Sequence, residues 1–423
     1  MQSYELFAKK ELEKYIALPE EGSEVYKRHH IDMHGYLDGI AMDADKGNEK
    51  DLRSIGDNIS KWIGIEFDAI IGSGCEIIKN QKIRITTLKE DSTTPNQNAF
   101  LDKYASLINS MSNRVINISA ANNEEASFKI LFLNADSPLF AHVNIYAGAN
   151  SKLNVIEYFG SLNNAKSASA TIHNIESKSG SLVELNSIHN ESENTAMLSF
   201  AQNSIEDAAV LKMTSYYNGS CASRVRNIID AAANRSMVHV CEVMFASKSQ
   251  KFDINTHIIN SGRDSMARLE TKAVADDSSF CMLKGFAHIK KGAQRANSYV
   301  HERGIIINKA ARIDGLPDMS VDESDVKATH SSATSPIDDE LSFYLMSRGI
   351  GAAGVKRLVI SGFLGDIINH MNSASMRDAA IALINGKIRT SGYGDMPSLE
   401  DSERWSFDEH MEKDIFKGHY KYR

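Results

Sequence analysis

Five short stretches decide the fold: Ser151-Lys-Leu-Asn-Val-Ile156, Ser167-Ala-Ser-Ala-Thr-Ile172, Ser181-Leu-Val-Glu-Leu185, Thr195-Ala-Met-Leu-Ser-Phe200 and Ala208-Ala-Val-Leu-Lys-Met213. Each opens on a small or polar corner and continues as alternating apolar and polar residues, the period of a half-buried strand. Further copies begin near Ser220, Ser236, Lys251, Ser265, Ser278 and Gln294, so the step is roughly fourteen residues throughout. A β-sandwich would show strands and turns at regular intervals without needing one corner-plus-alternation unit to recur unbroken. A parallel β-helix fits from about Phe128 to Val326, with Ile, Leu, Val, Met and Phe inside the coil and Ala, Ser and Gly at its corners.

Outside this region the texture is helical. Tyr4, Phe7, Leu12, Tyr15 and Ile16 fall at near-helical spacing, and Leu18-Pro19 stops that helix. Further helices are predicted from Leu52 to Trp62 and from Phe100 to Asn113, separated by Asp91-Ser-Thr-Thr-Pro-Asn-Gln-Asn98, which has linker composition. After His330, Pro336-Ile337-Asp338-Asp339-Glu340 offers an N-cap and an acidic first turn for a helix to Arg348, stopped by Gly349. A second helix spans about Ala352 to Met371, with Val355, Leu358, Val359, Gly362, Phe363, Ile367, Ile368 and Met371 largely on one face. A third carries Met376, Ala379, Ala380, Leu383 and Ile384 and ends at Gly386. The expected organisation is a mostly helical N-terminal α/β region over 1–125, a β-helix core over 126–330, a helical region over 331–389 and a polar tail over 390–423.

Composition narrows the function. The 423 residues are 42% hydrophobic and 24% charged, with 6 prolines and a net charge of -8. No Lys/Arg run stands out, which argues against nucleic acid as a partner. No apolar stretch reaches membrane-spanning length, and the charged, amphipathic Met1 to Lys14 lacks a signal-type segment, so a cytoplasmic protein is expected. Cys75, Cys221, Cys241 and Cys281 lie far apart, without a Cys-x-x-Cys pair, and read as small buried hydrophobes. Phosphate-binding loop, nucleophile-elbow and zinc-protease motifs are absent. Asp276-Asp277 and Asp338-Asp339 are the carboxylate pairs a β-helix carbohydrate enzyme would need, but the first sits at a repeat corner and the second opens a helix. His330 stands where the alternating and helical regions meet and could present an imidazole to a metal or a partner.

That junction carries a resemblance. Ser324-Asp-Val-Lys-Ala-Thr-His-Ser-Ser-Ala-Thr-Ser335 and Ile337-Asp-Asp-Glu-Leu-Ser-Phe-Tyr-Leu-Met-Ser-Arg-Gly-Ile350 resemble the end of the core of the SufB/SufD family. Upstream, Gly285-Phe-Ala-His-Ile289, Gly292-Ala-Gln294 and Gly304 to Pro317 resemble that family's final rungs, and Glu24-Val-Tyr-Lys-Arg28 is similar to an N-terminal segment of it. The resemblance implies a right-handed β-helix flanked by helices, in an assembly of SufB, SufC and SufD that builds iron–sulfur clusters. The SufB branch usually has a cysteine six residues before the proline matching Pro317, and a His-Glu pair at the junction. Ala311 and His330-Ser331 stand at those places, which points to the SufD branch; many SufD chains also carry a cysteine where this one has Ala328.

The function implied is a non-catalytic scaffold that pairs with SufB and docks the ABC-type ATPase SufC. Its isolated chain would hold no cofactor, while a transient iron–sulfur cluster would form in the complex. His330 is the implied iron contact. Tyr344, Arg348, Gly349, Ile350, Leu358 and Phe363 are the implied SufC-docking residues, although Tyr344 and Ile350 suit a core equally well. A SufB-like scaffold that nucleates the cluster itself, a β-helix carbohydrate enzyme and a structural homodimer are the alternatives.

Overall fold

Successive side chains of a strand face opposite ways, so each repeat offers one row to an interior and another to whatever covers the outside. The computed structural model describes residues 48–86, 103–112 and 114–390, with some residues between 10 and 40. It closes the repeats into a parallel β-solenoid of two ten-stranded sheets. In the first sheet the strands stack in the order Glu76–Ile78, Ala69–Gly72, Glu125–Asn134, Lys152–Ser161, Leu182–His189, Val210–Tyr217, Met237–Ala246, Met266–Ala275, Asn297–Ile306 and Lys327–Pro336. The second runs from Arg84–Thr86 through Arg114–Ala120, Leu139–Ala147, Ser167–Ser177, Thr195–Ile205, Ala222–Ala231 and Lys251–Asn260 to Phe280–Ile289, which pairs with both Arg312–Gly315 and Asp318–Val321. Among the described residues, antiparallel pairing is confined to the start, at Ala69–Gly72 with Glu76–Ile78 and at Arg84–Thr86 with Arg114–Ala120.

The fourteen-residue step is half a turn. Strands alternate between the sheets, and the left-handed corner residues show the full period: Asn123, Asn150, Gly180, Ala208, Arg235, Asp264 and Arg295 precede first-sheet strands, whereas Ser220, Lys248 and Asp277 precede second-sheet ones. The stack also starts before Phe128, because Ala69–Gly72 and Arg114–Ala120 join it without the corner that marks later copies. Phe128, Ile130, Phe132, Leu153, Val155, Val183, Leu211, Val240 and Leu269 fill the interior.

Helices cover the outer faces. These are α1 (His34–Leu37), α2 (Glu49–Ile63), α3 (Lys103–Met111), α4 (Asp339–Ser347), α5 (Ala352–Ile368) and α6 (Ala374–Thr390). On the first sheet, Tyr158, Ile188, Tyr216, Val243, Phe245 and Val274 pack under α2, α5 and α6. On the second, Phe140, Ala170, Ile172, Leu198 and Phe200 pack under α3 and the residues around α1. Asn48 caps α2 by accepting from the Lys50 N–H, and Gly64, at φ 72°, ends it.

Two helical expectations change. Helix α6 continues through Gly386 to Thr390, because Ile384 and Ile388 are buried against the wall on either side of that glycine and hold it in the helix. The expected apolar face of α5 is not one face. Val355, Ile360, Leu364, Ile367 and Ile368 are buried, whereas Leu358 lies outside; at 100° per residue, Leu358 and Ile367 point in opposite directions. Among the described residues no helix is long and apolar enough to cross a membrane. The expected Tyr4–Ile16 helix, Leu18-Pro19, Glu24–Arg28, the Asp91–Asn98 linker and the tail beyond residue 390 lie outside the described residues, apart from a few positions of the first.

Candidate functional site

The solenoid ends on a strand that no described residue covers. Lys327–Pro336 pairs with Asn297–Ile306, and all ten of its residues are exposed. His330 lies in the middle of this strand, in register with Val300, rather than at a boundary after it. Helix α4 follows directly and has no buried residue: Leu341, Phe343, Tyr344 and Met346 are all exposed, Phe343 by 71%. Asp338 holds its N-terminus by accepting from the Glu340 and Leu341 N–H groups. A strand edge with free backbone groups beside a helix with four bare apolar side chains is an end built to be covered.

A polar row leads to this end from inside the coil. Cross-strand register aligns Glu157, Ser187, Ser215, Glu242, Thr271, Glu302 and Ser332 along the first sheet. From the opposite sheet, His173 Nε2 reaches both Glu157 oxygens at 3.0 and 3.1 Å. Glu242 accepts from Thr256, from Asn227 at 3.2 Å and from Thr271 at 2.9 Å. Glu302 accepts from the Gly285 N–H at 2.6 Å. Gly285 leaves this carboxyl its space: a Cβ there would stand 2.6 Å from Val300 Cγ1 and 3.0 Å from Glu302 Oε1.

Burial sets the protonation of this row. It raises Glu242 above the ordinary carboxylate range, although Thr256, Thr271 and Asn227 pull the other way. It drives Glu302 up to about 8, with the charge of Glu242 adding to it, so this carboxyl is largely protonated at neutral pH. On the outer face of the second sheet, in register with Ile172, His142 is pushed down to about 4 by burial and by nearby His173. Sequence inspection passed over this row, although polar residues at inward positions of an alternating strand were its signal.

The remaining predicted residues do not form one patch. Arg348 caps the end of α4 and lies 5.2 Å over the Tyr344 ring, and Gly349 turns the chain at φ 90°. Ile350 is half-buried and donates its N–H to Leu345 O, so it belongs to the turn between α4 and α5. Leu358 is exposed, but Phe363 is half-buried against the wall with the Lys272 amine 5.0 Å over its ring. Leu358 and Phe363 therefore do not share one exposed face; α4 presents the bare apolar surface. Asp276 is buried in a corner, where its side chain accepts from the Asp277 N–H, and Asp277 accepts from the Lys248 N–H. Cys241 and Cys281 are buried, while Cys75 and Cys221 are only half-buried. Ala311 is buried among apolar neighbours.

The family described as "SUF system FeS cluster assembly, SufBD core domain" matches residues 131–363. The iron–sulfur cluster assembly protein SufD of Bacillus subtilis (strain 168) is 31% identical over 147 residues, which is 35% of this chain and 34% of that protein. SufD of Escherichia coli (strain K12) is 23% identical over 250 residues, 58% of each chain. An iron–sulfur cluster assembly SufBD family protein of Mycobacterium leprae is 34% identical over 97 residues, 23% of this chain and 25% of that one. The chain thus spans from about a quarter to under two thirds of the length of these relatives.

Proposed function

Because the chain belongs to the SufBD core family of iron–sulfur cluster assembly proteins, we propose that it is the SufD-type, non-catalytic half of a cytoplasmic scaffold, pairing with a SufB-type chain and docking a SufC-type ATPase. The uncovered end carries this reading: a fully exposed ten-residue strand followed at once by a helix without a buried residue. A second solenoid can continue the sheet by pairing with that strand, and the bare side of α4 suits an apolar partner surface. Iron and sulfide are substrates of the pair rather than resident cofactors of this chain. His330 would contribute an imidazole nitrogen, a borderline ligand suited to ferrous iron. The SufB-type chain would supply the thiolate, since Ala311 and Ser331 occupy the places where that branch carries its Cys and Glu. A carbohydrate enzyme is disfavoured by the turn and cap roles of Asp276, Asp277 and Asp338.

The test uses the complete chain co-expressed with the SufB-type and SufC-type proteins of its source. His330→Ala should leave complex formation intact and change stability by no more than about 0.5 kcal/mol, because the side chain is exposed. Cluster yield per complex, measured after anaerobic reconstitution, should fall. An unchanged yield removes the iron-contact role, and a chain that elutes only as its own dimer contradicts the pairing.

A further inference from the structure

Strand Met237–Ala246 carries a different chemistry on its outer face. His239 and Cys241, two residues apart, point the same way, toward the turn after α5, where His370 sits. One donor atom from each of the three residues lies within 4.8 Å of the others. The Nε2 of His239 is 3.3 Å from Cys241 Sγ and 3.0 Å from Glu270 Oε1, on the next strand. The His239 and His370 rings meet edge-on with centroids 5.3 Å apart. Cys241 is buried and His370 exposed, so the group has a closed floor and an open mouth.

We propose that His239, Cys241 and His370 bind one divalent first-row transition cation, with the Glu270 carboxylate as the fourth donor. Ligand atoms around tetrahedral zinc stand about 3.3–3.6 Å apart, given metal–N and metal–O distances near 2.1 Å and metal–S near 2.3 Å. The two distances at His239 are already close to that range. A sulfur, two imidazoles and one carboxylate select zinc, cobalt or ferrous iron over calcium and magnesium, which require oxygen shells. The surroundings tolerate the charge: Glu270 pairs with Arg268 at 2.7 Å, and Lys272 pairs with Asp366 at 2.6 Å on the opposite rim. Glu270 Oε1, which accepts from both His239 and Arg268, is the carboxylate oxygen within reach of the group.

A reactive-cysteine role is disfavoured. Cys241 is buried, which shields its thiol and the thiol proton from reagents in solution. A cation displaces that proton and makes the thiolate a ligand. Bound there, it clips the end of α5 to the solenoid wall, joining positions 129 residues apart in the chain. This role does not depend on the partner assignments above.

The test is Co(II) titration of the complete, tag-free, metal-stripped chain, followed by Zn(II) competition. One equivalent should give a tetrahedral cobalt spectrum with a thiolate charge-transfer band. Cys241→Ser should remove that band, and His370→Ala should lower Co(II) and Zn(II) affinity at least about tenfold. Cys221→Ser, which leaves the group intact, should behave as wild type. Should Cys241→Ser fail to fold, the exposed His370 still decides the matter. Cobalt bound without a thiolate band, or unchanged affinity in His370→Ala, overturns the proposal.

Discussion

The covered wall of the first sheet and its uncovered last strand are made of the same repeat, yet they end differently. On the wall, outward residues such as Tyr216, Val243 and Phe245 are fully buried because α5 and α6 fold back over them. Three to four turns further along, the outward and inward residues of Lys327–Pro336 are all exposed, and the next helix buries nothing. Apolar surface marks both regions, so hydrophobicity alone does not separate core from interface. What separates them, among the described residues, is whether the chain itself returns to cover the surface.

The largest effect that tests this contrast is on stability. Ile367→Ala, on the buried side of α5, should cost about 2–5 kcal/mol in urea unfolding, from lost transfer energy and the cavity left behind. Phe343→Ala removes a larger side chain from the uncovered α4 and should change stability by no more than about 0.5 kcal/mol, while weakening ATPase binding about tenfold or more. A large stability loss from Phe343→Ala would show that α4 is covered by its own chain in solution.

A smaller effect concerns the polar row inside the coil. The Glu302 carboxyl is raised from 4.5 to about 8 in the folded chain. Between those values the unfolded chain releases a proton that the folded chain keeps, so stability is full below the window, falls as pH rises through it, and is lost above it. Glu302→Gln removes the ionisation. Relative to wild type, it should therefore gain on the order of a few kcal/mol between about pH 5 and about pH 9, as read from urea midpoints at both values. Parallel pH profiles for the two proteins would mean that the row is hydrated and ordinary.

Much of the fold could be read in the chain because a solenoid repeats its own instructions. Corners such as Ser151 and Ser181, followed by two-residue alternation, specify strand after strand without long-range information. What escaped was set by register or by distant contacts. That two half-turns make one coil follows from the alternation of strands between sheets, which no single repeat reveals. Gly386 stays helical because its neighbours are buried, overriding the local stop signal. Leu358 and Ile367 looked alike as apolar residues, but helical geometry puts them on opposite sides. For the candidate sites, His330 was visible through resemblance, whereas its place in an open strand was not. His239 and Cys241 could have been paired by their spacing of two on a strand; His370 could not, since only the return of α5 brings it there.

The most direct measurement is hydrogen exchange at the backbone of Lys327–Pro336, in the isolated chain and in the complex with the SufB-type partner. Strand pairing at the open edge predicts that exchange at alternate amides of this strand slows sharply in the complex, while Met237–Ala246, inside the stack, is equally protected in both. A fully formed complex in which Lys327–Pro336 exchanges as fast as in the free chain would contradict the claim that this uncovered end is the partner face.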